Sequence, residues 1–462
     1  MEESNAISPV HPDDPAGLRR RGEAGSPRRM SLGLLLVLLG ALSQASRFSR
    51  ASLLIWGGGP GIELYYSWDV DPSKMIVAGA LYLLVLAMLL HPRQPYLRVD
   101  LPFKFLGALI AWSFLALAWS YDPGWSFIWT LRLAQWVVVY LLVITFTRSR
   151  DDLHRWSHLF LYSSFINLVG VVLELTIREK IGHIGTAAGE FDRALLTGYP
   201  ARALMYLPFA FHCVLWRRNR VEGGLGAACI VFNLAAIYIS GRRAGPLVLV
   251  VVLVAYFLLI GRRHRGFLIA CIAILIAGIV AVKLNPYYAW RLSTIPFLGG
   301  AGLEQWEGDP RIIQYREGLA IFAQHPIGGI GLNGALLWVK HLYGYGLGQH
   351  SVFLAMASEL GLVGLFLYLL FAGFAAMRSL AAVRGGLGAG DRPGASLGAA
   401  ALTSLLAMLV WGQFQSLVFS MPIYISAGLC SVSYGILEQK AGQASSGGAR
   451  DRSGRVLHRP PG

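Results

Sequence analysis

Residues 223–260 read GGLGAACIVFNLAAIYISGRRAGPLVLVVVLVAYFLLI. Two apolar runs, 223–240 and 244–260, flank the turn Ser240-Gly241-Arg242-Arg243-Ala244-Gly245-Pro246. A helix that crosses a bilayer needs roughly 20 apolar residues. Hydrocarbon offers no partner to an open backbone, so each run reads as a spanning helix. The turn is glycine-flanked and holds two adjacent arginines close to one membrane face.

The same pattern repeats along the chain. Apolar segments lie near 32–46, 75–91, 103–120, 125–147, 156–177, 199–216, 223–240, 244–260, 266–284, 351–377, 396–417 and 420–437. The 462 residues are 55% hydrophobic and only 14% charged, against about 25% charged in soluble domains. That composition excludes a soluble enzyme and a disordered chain. The expected fold class is all-α, a polytopic membrane helix bundle of about 12 transmembrane helices. The expected organisation is a disordered cytoplasmic tail at 1–30 and a bundle of about nine spans at 31–284. A long periplasmic loop with short helices at 285–350, spans at 351–439 and a second disordered tail at 440–462 follow. The basic residues and short apolar run near the start resemble a signal peptide only superficially.

The net charge of +15 comes from 40 Lys and Arg against 25 Asp and Glu. Such an excess can mark a nucleic-acid binder. Here the basic residues fall in loops that alternate with the spans. Arg93, Arg98 and Lys104 form one group; Arg148, Arg150 and Arg155 another; Arg217, Arg218 and Arg220 a third. Arg262, Arg263 and Arg265, then Arg378, Arg384 and Arg392, continue the series. This is the positive-inside pattern, with both termini cytoplasmic and no nucleic-acid partner. The lipid bilayer itself is the first partner implied.

The four cysteines, Cys213, Cys229, Cys271 and Cys430, fall inside spans without CxxC spacing. They read as packing residues, with no thiol chemistry and no structural zinc. Asp69-Val70-Asp71 is a D-x-D tripeptide on the first outside loop. Such tripeptides are common by chance, and Pro72 follows it as at a helix start, so no metal or other cofactor is expected.

Polar and aromatic residues concentrate in the long loop and point to an active site at the outer membrane face. Few charges lie deep in the spans, whereas transporters usually need intramembrane ionisable groups. Arg132, in the span at 125–147, reads as an interface anchor that snorkels. Arg242 and Arg243 stand on the side that the positive-inside rule disfavours. Guanidinium forks grip phosphate bidentately, so a lipid diphosphate is one reading and a helix-end anchor the other. The run Ile312–Gln324 has helical spacing, with Arg311 and Arg316 near its start, and stops at His325-Pro326. His350 stands at the outer mouth of the span at 351–377, and Glu359 lies nine residues beyond it. His325, His341 and His183 are weaker histidine candidates. Asp192 and Arg193, in the loop at 178–198, could touch glycan or phosphate or pair with each other.

His325-Pro326-Ile327-Gly328-Gly329-Ile330-Gly331, then His350, then Glu359-Leu360-Gly361-Leu362-Val363-Gly364 resemble the O-antigen ligase and polymerase superfamily. The Ser240-Gly241-Arg242-Arg243 turn is similar to that family's Ser-Arg element. The resemblance covers roughly 190–440. It departs at Ser351, where the family commonly has Asn; Ser caps a helix equally well.

The resemblance implies transfer of a glycan from an undecaprenyl-diphosphate carrier to an acceptor sugar hydroxyl, at the periplasmic face of the bacterial inner membrane. It implies a metal-independent, inverting enzyme. A ligase would use lipid A–core, a glycolipid, as acceptor. A surface-polysaccharide polymerase is the alternative. Some related chains have been proposed as bicarbonate-transport components, so a multi-span transporter is a second alternative. Guanidinium groups can stabilise a diphosphate leaving group, and histidine is suited to general base work near pH 7. The expected roles are therefore His350 as base and Arg242, Arg243, Arg311 and Arg316 as diphosphate ligands.

Overall fold

The computed structural model describes residues 98–181, 198–240, 242, 244–263, 265–284, 310–344, 348–415 and 420–447. Among them are twelve α-helices and no strand. They are α1 (Leu101–Leu115, prolonged by a 3-10 turn, Ala116–Trp119), α2 (Pro123–Phe146), α3 (Arg150–Ile181), α4 (Gly198–Leu215), α5 (Arg220–Ile239) and α6 (Ala244–Leu259). There follow α7 (Arg265–Leu284), α8 (Pro310–Gln324), α9 (Gly334–Tyr343), α10 (Val352–Gly388), α11 (Arg392–Trp411) and α12 (Met421–Gly447). The spans expected at 32–46 and 75–91 lie outside the described residues, as does Asp69-Val70-Asp71.

The helix starts follow from local chemistry. Asp100, Asp122, Asn219, Ser351 and Asp391 each accept the backbone N–H of the residue three positions on. Pro102, Pro123 and Pro393 sit in the first turn, where their missing N–H costs nothing.

Five helices are long and apolar enough to cross a membrane: Leu101–Trp119, α2, α5, α10 and α11. Two more, Ala244–Leu259 and Arg265–Val280, are apolar but shorter. The protein is thus a helical membrane protein, although the described helices do not by themselves reach the expected number of crossings. The reason is dilution. His154, Ser157, His158 and Asn167 interrupt α3; Arg202, Pro208 and His212 interrupt α4; Ser426, Ser431 and Ser433 interrupt α12.

α11 runs through the middle of the bundle on small residues. Ala395, Ser396, Gly398, Ala399, Ala400, Thr403, Ser404 and Ala407 are all buried, which lets neighbouring backbones approach closely. Ser404 Oγ donates to the Met205 carbonyl (2.7 Å), and Ser379 Oγ donates to that of Gly398 (2.8 Å). All four cysteines are buried free thiols.

Successive long helices reverse direction, so the bundle has two distinct ends. One end gathers the basic loops. There Arg378 Nη1 lies 3.1 Å from Asp100 Oδ2, and Tyr140 Oη donates to the same carboxylate at 3.0 Å and meets Ser431 Oγ at 2.8 Å. This joins α1, α2, α10 and α12. Arg150 pairs with Asp391 (2.8 Å), and Arg218 with Asp151 (2.7 Å).

The opposite end is built around a broken helix. The sequence reads 351–377 as one span, but α10 is interrupted at Gly361 (φ 69°, ψ −167°). The break opens backbone groups that hydrocarbon cannot satisfy, and the glycine-rich segment 326–331 satisfies them. Ile330 N–H donates to the Ser358 carbonyl (3.3 Å), Gly331 N–H to that of Glu359 (2.8 Å), and Leu362 N–H to that of Pro326 (2.7 Å). Trp112 Nε1–H caps the Leu360 carbonyl (2.9 Å), and Asn333 N–H donates to the buried Glu359 carboxylate (2.7 Å). Only glycine fits at two contact points. Gly329 (φ 65°) lies against the Glu359 backbone, and a Cβ on Gly361 would fall onto the Ile327 carbonyl. The turn between α1 and α2 closes over the segment. Trp119 Nε1–H donates to the Gly328 carbonyl (3.2 Å), Tyr121 N–H to that of Ile330 (2.8 Å) and Ser126 Oγ to that of Leu332 (3.2 Å).

Candidate active site

The His325–Gly331 and Glu359–Gly364 motifs therefore hold each other, backbone to backbone, and fix what surrounds them. α8 stops at His325, whose N–H still bonds the Ile321 carbonyl (2.8 Å), because Pro326 cannot continue it. Its Gly318 lets it lie close to the mouth of α10. A Cβ there would sit 2.8 Å from Leu354 Cδ2 and 2.9 Å from the Gln349 amide. At the same mouth Tyr315 Oη donates to the Gln413 carbonyl (3.0 Å), Ser351 Oγ donates to Gln413 Oε1 (3.0 Å) and Val352 N–H donates to the Gly412 carbonyl (2.7 Å). Three pieces thus converge: α8, the start of α10 and the end of α11.

His350 stands half-buried at this convergence, directly before the Ser351 cap. Its Nδ1 lies 3.2 Å from the Gly348 carbonyl. A carbonyl only accepts, so Nδ1 is the donor, and in the neutral ring Nε2 carries the lone pair. That is the tautomer a general base needs.

Arg316 is exposed on α8 and belongs to a closed three-residue set. Its Nη2 donates to Tyr343 Oη (2.6 Å) and its Nε to Glu317 Oε1 (3.3 Å); Tyr343 Oη also donates to Glu317 Oε1 (2.8 Å). The Tyr343 hydroxyl first, and Glu317 second, hold the guanidinium more firmly protonated than usual. Tyr343 ends α9, so this set ties the two loop helices together. Arg311 is exposed in the first turn of α8. α8, which packs against the start of α10, therefore carries two exposed arginines.

The other expected residues are placed less tightly. Arg242 is half-buried in the turn between α5 and α6, where its carbonyl accepts Gly245 N–H (3.0 Å). That turn is at the same end of the bundle as His350. Arg243, Asp192, Arg193 and His183 lie outside the described residues. His325 and His341 are exposed. Arg132, the tenth residue of α2, covers the Trp129 ring at 4.3 Å.

Several residues here had no signal in the sequence. Glu317 and Tyr343 hold Arg316 by hydrogen bonds, and Gln413 comes from the far end of α11. Gln314 and Gln349 are 1% and 4% exposed, yet among the described residues neither side-chain amide has a hydrogen-bond partner. Only Gln349 could have been suspected, as the polar neighbour of His350.

No curated protein matches the chain. A family model described as O-Antigen ligase matches residues 228–369. The matched stretch contains the arginine turn, α8, α9, His350 and the broken part of α10. Over that segment the chain is similar to the O-antigen ligase family, in line with the resemblance in His325–Gly331, His350 and Glu359–Gly364.

Proposed function

We propose that this membrane enzyme transfers a glycan from undecaprenyl diphosphate to an acceptor sugar hydroxyl, in the manner of an O-antigen ligase. The observation that carries this reading is His350, with Nδ1 engaged by the Gly348 carbonyl, beside a helix bearing Arg311 and Arg316. The acceptor hydroxyl attacks the anomeric carbon from the face opposite the diphosphate. Its proton passes to His350 Nε2. The bond from the anomeric carbon to the diphosphate oxygen breaks, and the configuration inverts. The leaving diphosphate takes the bonding electrons, and guanidinium groups of Arg311, Arg316, Arg242 and Arg243 balance its charge. Asp192 and Arg193 belong to the same proposal as contacts to glycan or phosphate. These groups suffice for the transfer without a metal ion.

In this reading the chain makes about twelve crossings, with residues 1–30 and 440–462 as cytoplasmic tails. The end that carries the basic loops faces the cytoplasm. His350 then faces the periplasm, where lipid-linked glycans meet their acceptors. A polymerase would use the same chemistry with a second carrier-linked repeat as acceptor. Disruption of the gene separates the readings. Unmodified lipid A–core with accumulated carrier-linked polymer supports the ligase. Surface glycan reduced to single repeats would make it a polymerase. Unchanged surface glycan would overturn both and favour transport.

A further inference from the structure

We propose that His154, His158 and Glu222 form a divalent-cation site of the zinc type, at the end of the bundle opposite His350. His154 and His158 are one turn apart on α3, with ring centroids 4.7 Å from each other. Glu222 comes from the first turn of α5. Its Oε1 lies 2.9 Å from His154 Nε2 and 3.4 Å from His158 Nε2. The three donor atoms all fall within 4.8 Å of one another. Tetrahedral zinc, with bonds of about 2.0–2.2 Å, holds its donors about 3.3 Å apart. The set is compact enough to close on an ion with small side-chain shifts.

A second observation points to a ligand. The side chains of His154 and Glu222 are only 5% and 4% exposed. Despite its closeness to the carboxylate, His154 Nε2 makes no hydrogen bond among the described residues. A buried ring nitrogen that lies beside a carboxylate without a hydrogen bond to it is costly. A cation between the nitrogen and the carboxylate would satisfy both. The carboxylate is also held in position. Its Oε2 accepts Arg218 N–H (2.8 Å), and Glu222 N–H donates to Asn219 Oδ1 (2.8 Å), which leaves Oε1 turned toward the imidazoles. Such outer contacts are what orient metal ligands.

The surroundings are compatible with a cation. Arg218, whose N–H holds the Glu222 carboxylate, is itself paired with Asp151 at 2.7 Å. The His212 ring lies edge-on to His154 at 5.7 Å, with its Nδ1 engaged by Ser396 Oγ at 2.9 Å. His158 is 43% exposed, so it gives the ion an entry path and leaves a fourth position for water. Two imidazoles and one carboxylate favour zinc or a similar first-row ion over calcium or magnesium. Bound there, the ion would lock α3 to α5. The site is independent of the proposed transfer reaction.

The test uses the full-length protein in detergent, with any polyhistidine tag removed. Zinc is titrated against a competing chelator, and cobalt(II) is used as a visible probe. We expect one zinc per chain and a tetrahedral cobalt absorption. His158→Gln, at a half-exposed position, should weaken zinc at least about tenfold and abolish the cobalt band. His325→Gln, an exposed histidine at the other end, should change neither. Metal-free wild type and metal-free His158→Gln should unfold at the same temperature, which excludes misfolding. Equal zinc affinity in wild type and His158→Gln, or no stoichiometric binding, would overturn the site.

Discussion

Substituting Gly361 by Ala tests whether the broken helix and the docked glycine segment are one unit. At φ 69° and ψ −167° a residue with a Cβ is strained wherever it is placed, at about 1–3 kcal/mol. The added carbon would also fall onto the Ile327 carbonyl and close to Gly328 N. Backbone atoms cannot swing aside as a side chain can, so segment 326–331 must move. Movement weakens three bonds: Leu362 to Pro326, Gly331 to Glu359 and Ile330 to Ser358. At about 1 kcal/mol each, the total loss is about 4–6 kcal/mol. That is a large share of the 5–15 kcal/mol typical of a folded domain. Gly373→Ala, on the same helix with nothing within 4 Å of its added carbon, is the control. It should be neutral or raise stability by about 0.5–1 kcal/mol. Thermal unfolding in detergent, followed by loss of the monodisperse peak, gives the readout. If Gly361→Ala unfolds at the temperature of Gly373→Ala, the docking account is wrong.

Three further outcomes follow from other parts of the molecule. Tyr343→Phe removes the hydroxyl that holds both Arg316 and Glu317; glycan transfer should fall about tenfold, the equivalent of one hydrogen bond, at unchanged membrane level. Tyr140→Phe frees Asp100 and Ser431 of a shared buried partner and should cost about 2 kcal/mol in unfolding measurements. Arg218 holds the Asp151 carboxyl below its ordinary range. The pair therefore contributes at neutral pH and is lost only as the pH falls through that lowered value. Because the pair is exposed, Asp151→Asn should change stability by less than about 1 kcal/mol at pH 7 and make no difference in strong acid.

Much of this architecture is written in local patterns. The apolar runs mark the helices, and the spacing of Ile312–Gln324 with its stop at His325-Pro326 gives α8 and its end. Ser351 is the helix cap that its residue type suggests. The break at Gly361 is not legible, because one glycine in an apolar run reads as a tolerated helix residue. It becomes a break only when segment 326–331, some thirty residues earlier in the chain, supplies the missing partners. That contact also changes the meaning of the two glycine motifs. They lock backbone together, and His350 and α8 are mounted on the lock. Long separation hides the rest of the site as well: Tyr343 reaches Arg316 across 27 positions, and Tyr315 reaches Gln413 across 98. The His154–Glu222 cluster spans α3 and α5. Reasoning about metals from cysteine spacing and Asp69-Val70-Asp71 could not have found it.

The most direct test of the central claim is transfer by purified protein from a lipid-diphosphate-linked glycan, comparing wild type with His350→Ala. Loss of a positioned general base should lower the rate by about 10²–10⁴-fold, with unfolding temperature and membrane level unchanged. A His350→Ala enzyme that transfers glycan at the wild-type rate would contradict the assignment of this mouth as the active site.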